Sequence, residues 1–172
     1  MTKPARTATA DLYVDYGHFS VTDYGADVPE LRPAYANGLV GADSSGASVL
    51  TGTATGEVTV TVQLLDAEPG SIELDSWDEV SEVSLDSAEG FLLVHNMMDG
   101  PPRELGELAY VGPGTYRLRV HARGRDIAPH SHADTPREHY QISAWPAPET
   151  PPTVHKQTDR YGHEVRARET EL

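Results

Sequence analysis

Two histidines one residue apart, followed by a carboxylate, are the residues of this chain best suited to metal chemistry. They lie in Gly124-Arg-Asp-Ile-Ala-Pro-His130-Ser-His132, with Glu138 further on. Alternate residues of a strand face the same way, so His130 and His132 would present two imidazoles together, and imidazole with carboxylate suits divalent metals. Pro129 and the polar run from Ser131 to Pro136 read instead as a loop, and five residues separate His132 from Glu138. Only the C-terminal segment follows to supply a fourth ligand. A solvated loop pair is the preferred reading, with no metal and no cofactor expected. Nucleophilic catalysis has less to work with: there is no cysteine and no Gly-x-Ser-x-Gly elbow. The Gly/Ser/Thr-rich stretch 41–56 lacks the lysine and following helix of a phosphate loop. A glycosidase-type carboxylate pair, distant in sequence, stays open among 27 acids. No enzyme is expected.

The spacing around His130 and His132 resembles the first metal motif of the cupins, which implies a degenerate metal protein as one alternative. A second alternative is a β-sandwich whose exposed aromatic residues stack on a small molecule or carbohydrate.

Charge points elsewhere. The net charge is −14, and residues 11–100 hold 17 acids against one base, Arg32. Residues 101–172 hold ten of each sign. A field so one-sided repels nucleic acid and speeds encounter with basic proteins. Trp77 sits among acids in Asp75-Ser-Trp-Asp-Glu79, where it is either an interface anchor or a core residue. The expected partner surface is therefore Asp75, Trp77, Asp78, Glu79 and Glu82, and the expected partner a basic protein such as a nuclease. Arg117, Arg119, His121 and Arg123 share one strand face, and Arg125 extends the series. They either form an exposed anion-binding stripe or pair across strands with acids such as Glu79 and Glu82. The second reading is preferred.

The elements that must carry these residues are strands. Val58, Val60, Val62 and Leu64 alternate with polar residues, as do Tyr116, Leu118, Val120 and Ala122, which is the pattern of half-buried antiparallel strands. Phe91-Leu-Leu-Val94 is continuously apolar and reads as a central strand covered on both faces. Residues 33–38 hold either one short helix or part of a long loop. Seven to nine short strands separated by turns predict an all-β, two-layer antiparallel β-sandwich, jelly-roll-like. Its expected limits are residues 11–146, after a flexible N-terminus (1–10) and before a polar, Pro-rich, partly disordered tail (147–172). No secretory signal is expected, nor a membrane span, since no stretch reaches the ~18 apolar residues required. Cytoplasm is the expected compartment.

Asp11-Leu-Tyr-Val-Asp-Tyr-Gly-His-Phe-Ser-Val21, the strand at residues 58–65, and Gly112-Pro-Gly-Thr-Tyr-Arg-Leu118 together resemble the competence protein J family. The likeness covers residues 11–125 in order and spacing. It implies a β fold and an intracellular inhibitor of a DNA-entry nuclease.

Overall fold

The computed structural model describes residues 6–96 and 98–170. Within them eleven strands form two sheets. The larger sheet runs in the order β1 (Arg6–Val14), β5 (Thr55–Leu64), β10 (His139–Pro146), β8 (Gly114–Arg123), β6 (Glu79–Ser87) and β11 (Thr153–Gln157). A two-residue strand, β9 (His132–Ala133), pairs beside β5. The smaller sheet runs β3 (Val40–Asp43), β4 (Gly46–Leu50), β2 (His18–Asp23), β7 (Leu92–His95). Two helices, α1 (Arg32–Tyr35) and α2 (Arg160–Thr170), complete the described chain.

Burial alternates strictly along β5, so the period-two sequence pattern becomes one inward and one outward face. Val58, Val60, Val62, Leu118, Val120 and Ile142 of the larger sheet share one apolar cluster with Phe19, Val21, Val49 and Val94 of the smaller. The mostly β, two-sheet architecture thus follows from alternation, the dominant signal in the sequence.

Four local expectations are corrected. The larger sheet is mixed rather than wholly antiparallel: β10 runs parallel to β5 while antiparallel to β8. The chain leaves β5 to build β6 and β8, then returns between them and β5 in β5's own direction. The run at 91–94 is not central; β7 is the edge of its sheet, and Phe91 precedes it and is exposed. Its apolar character is explained by the segment 105–109, which covers that edge; Leu108 N donates to Leu92 O at 2.8 Å and Leu92 N to Glu107 Oε1 at 2.8 Å. Residues 1–5 lie outside the described residues, but Arg6–Ala10, expected to be flexible, are the first half of β1 and pair with β5.

The tail is the largest correction. Instead of partly disordered chain, residues 153–170 form β11, antiparallel to β6, and α2. The helix starts where acids satisfy its free N–H groups. Asp159 Oδ1 accepts from Gly162 N at 2.7 Å, and the Asp126 carboxylate accepts from Arg160 N and Tyr161 N at 2.8 and 2.9 Å. Tyr161 and Val165, one turn apart, then bury against Ala34 and Leu50. Among the described residues no helix is long and apolar enough to cross a membrane.

Candidate functional site

Of the five residues expected to face a partner, Trp77, Glu79 and Glu82 are buried. Only Asp75 is exposed; Asp78 is half-buried, and its Oδ2 accepts from Gly124 N at 3.0 Å. Trp77 packs between His121 and His139, at ring-centroid distances of 5.3 and 5.6 Å, beneath the Arg123 guanidinium at 4.8 Å. It is a core residue of the outer face of the larger sheet.

Glu82 is the acid that the preferred arginine reading called for. In register it sits opposite Arg119, and its carboxylate accepts from Arg119 Nε at 2.7 Å and Arg117 Nε at 3.0 Å. Burial alone would raise its pKa, but the hydrogen bonds from Arg119 and Arg117 outweigh that and hold it below the usual carboxylate range. Arg117 has every N–H occupied. Besides Glu82, it donates to Ser84 Oγ, Thr150 O, Pro151 O and Thr153 Oγ1 at 2.9–3.0 Å. Two of these acceptors are carbonyls of the Pro-rich segment, so the arginine face clamps that segment to the sheet and is not an open anion-binding stripe.

Glu79 instead belongs to a second buried cluster. Arg125, wholly buried, makes a bidentate pair with Asp159 at 2.7 and 3.0 Å and donates to Gly38 O at 2.8 Å. Glu79 Oε1 lies 4.0 Å from Arg125 and 3.6 Å from Arg166, while its Oε2 has no hydrogen-bond partner among the described residues. Burial, followed by the neighbouring Asp159 carboxylate, pushes the Glu79 pKa up to about 8. Gly162 is required here: a Cβ would come within 2.8 Å of Asp159 Oδ1 and Glu79 Oε1.

The histidine constellation does not converge. Glu138 is buried and accepts from Gly52 N, Thr53 N, Thr53 Oγ1 and Tyr140 OH. His132 is exposed, with Nε2 2.6 Å from Asp134 Oδ1, and His130 lies against the Tyr161 ring at 5.6 Å. Among the described residues no three His, Cys, Asp or Glu side chains are grouped to hold a metal.

A different surface combines acid with exposed aromatic area. Tyr24 (73% exposed) and Phe91 (47%) meet edge to face at 5.9 Å. They line a shallow trough of about 710 Å³ together with Asp86 and Glu89, both exposed. Through Ser44 and Asp86 the trough continues into a second concavity that includes Asp43 and Glu149. Among the described residues no Lys, Arg or His lines either one. The backbone beneath is fixed: Asp23 accepts from Ser87 Oγ and Glu89 N, and Tyr24 N donates to Phe91 O at 2.9 Å. Sequence reading missed this site because Phe91 was absorbed into an apolar run. The available signal was Tyr24-Gly25 closing a strand, since a large aromatic beside a turn glycine has little core to enter.

No protein-family model and no curated protein matches the chain. Solved structures that share its fold include ComJ of Bacillus subtilis, described as an inhibitor of the DNA-degrading activity of NucA. It is 18% identical, with a TM-score of 0.57 over 86% of this chain and 99% of ComJ. Another, described as crocagin biosynthetic gene J, is 16% identical, with a TM-score of 0.51 over 83% of this chain and 98% of that one. The chain is therefore similar in fold to ComJ along nearly the whole of that protein, in keeping with the resemblance carried by residues 11–21 and 112–118.

Proposed function

We propose that the chain is a non-catalytic, intracellular protein-binding module that inhibits a basic partner, of which a nuclease is the favoured kind. The observation that carries this reading is the exposed Tyr24–Phe91 pair in an acidic trough without a base. Aromatic residues dominate the energetics of interfaces, and the acids around them set attraction and orientation. A nuclease cleft is basic because it must hold phosphates, so an acidic, aromatic surface complements it and competes with the polyanion. The likeness to ComJ supports inhibition of a DNA-degrading enzyme as the activity. Fold alone does not carry function; the trough supplies the site. The same field disfavours direct binding of nucleic acid. Asp75 and Asp78 stand as a second, smaller acidic region, outside the trough.

The test is inhibition. DNA degradation by basic protein fractions of the native host is measured with and without the purified chain, at low and high salt. Salt-sensitive inhibition by wild type, lost in Tyr24→Ala/Phe91→Ala, is expected. Equal inhibition by the double variant, or none by wild type, would contradict the reading.

A further inference from the structure

The trough occupies one end of β2 and β4; at their other end three loops enclose a separate pocket of about 350 Å³. Backbone hydrogen bonds stitch the loops together: Gly17 N to Ala54 O at 3.0 Å, Thr51 N to Gly17 O at 2.8 Å, and His130 N to Gly52 O at 2.7 Å. The Glu138 carboxylate, taking the N–H groups of Gly52 and Thr53, anchors the middle loop from below. The pocket is consequently preformed. Its floor is apolar, made by Leu50, Tyr161 and Val165, with Leu31 and Tyr35 as one wall.

Two observations mark it as a binding site. Tyr16 (φ 56°) and His130 (φ 62°) are the non-glycine residues with positive φ among those described, and both line this pocket. The tight hairpin turn between Asp15 and His18 accounts for the left-handed backbone at Tyr16 and leaves that residue 84% exposed; at His130 such backbone is strained. The rim also carries an arginine. Arg168 makes no ion pair among the described residues, while the rim acid Glu169 is taken by Arg32 at 3.4 Å.

We propose that this pocket binds a small, planar aromatic carboxylate, its ring on the Tyr16, Tyr35 and Leu50 surfaces and its carboxylate toward Arg168 and His130. The volume lies at the lower end of small-ligand pockets, which suits one or two fused rings. The inference is independent of the inhibitor reading.

The probe is 1-naphthoate, with 1-naphthamide as its uncharged counterpart, titrated into the full chain and followed by amide proton–nitrogen NMR. Saturable shifts confined to Gly17, Thr51, Gly52 and His130 are expected. Arg168→Gln should weaken naphthoate by about three- to tenfold while leaving naphthamide unchanged. Leu31→Trp, at a half-buried wall position, should fill the pocket and abolish both, with the same spectra reporting its fold. The proposal is overturned by shifts that are absent or scattered elsewhere, or by naphthoate and naphthamide binding alike. It is equally overturned if naphthoate is inert and Leu31→Trp instead weakens binding of a basic protein, which would assign the pocket to the protein interface.

Discussion

Arg117 shows why the same residue type can look like a binding stripe in sequence and act as a structural clamp. Its five N–H groups meet five acceptors in a fixed fork, which lysine cannot reproduce with three. Arg117→Lys should therefore destabilise by about 2–4 kcal/mol although charge is kept, read as a lower denaturant midpoint. Two buried groups set opposing pH dependences. Burial lowers His121 from 6.5 to about 4, and the neighbouring Arg119 adds to this against a hydrogen bond to Gln141 O. The unfolded chain then binds the extra proton between those values, so stability is full above about pH 6.5 and falls as pH drops through 4. Glu79, raised from 4.5 to about 8, works the other way: the folded state holds the extra proton, and stability falls as pH rises from 4.5 to 8. The two slopes cancel between about pH 4.5 and 6.5, where stability is expected to be maximal. Glu79→Gln should remove the fall above pH 6.5 and leave the His121 rise from pH 4 to 6.5 uncompensated, and urea titrations across pH 4–9 measure both limbs. Periodicity placed Arg117, Arg119 and His121 on one face, and cross-strand logic found Glu82 for them. Glu79 was less legible, because its partners Arg125 and Asp159 come from a loop and a helix N-terminus that no strand pattern positions.

At the scale of elements, strands were readable wherever one face is buried, as in β5 and β8, and unreadable where a loop provides the cover, as in β7. Helix α2 went unseen because it carries Gly162 and few apolar residues; its start is specified by Asp159 and Asp126 acting across the fold. Glycine in a helix interior ordinarily weakens it by about 1 kcal/mol, and replacing it with alanine ordinarily stabilises. Here the Cβ would enter the Glu79–Asp159–Arg125 cluster, so Gly162→Ala is expected to lower the melting temperature instead. A rise in melting temperature would show that the cluster does not press on the helix. The Pro-rich segment, extended by composition, is ordered by Arg117 taking its carbonyls; its own sequence holds no sign of that.

The whole molecule divides its charges. Two buried clusters of acids facing arginines fasten β11 and α2, and most of the remaining acids lie on the surface, several of them around Tyr24 and Phe91. Total charge was legible from composition; which acids stay free was not, since that depends on register and on the folding back of residues 147–170. If the trough is the docking face, association should be steered by charge and anchored by the aromatic pair. Asp86→Lys/Glu89→Lys should slow association and flatten its salt dependence, whereas Tyr24→Ala/Phe91→Ala should mainly speed dissociation, by about 30-fold if the pair is a hot spot worth 2 kcal/mol. The most direct test of the trough is a salt-graded pull-down from native-host lysate with three baits: wild type, Asp86→Lys/Glu89→Lys, and Asp75→Lys/Asp78→Lys. The eluates are assayed for DNA degradation. A basic, DNA-degrading partner held by wild type and by the Asp75/Asp78 variant, released by rising salt and lost from the Asp86/Glu89 variant, is the expected result. Retention of that partner by the Asp86/Glu89 bait as firmly as by wild type would contradict the account.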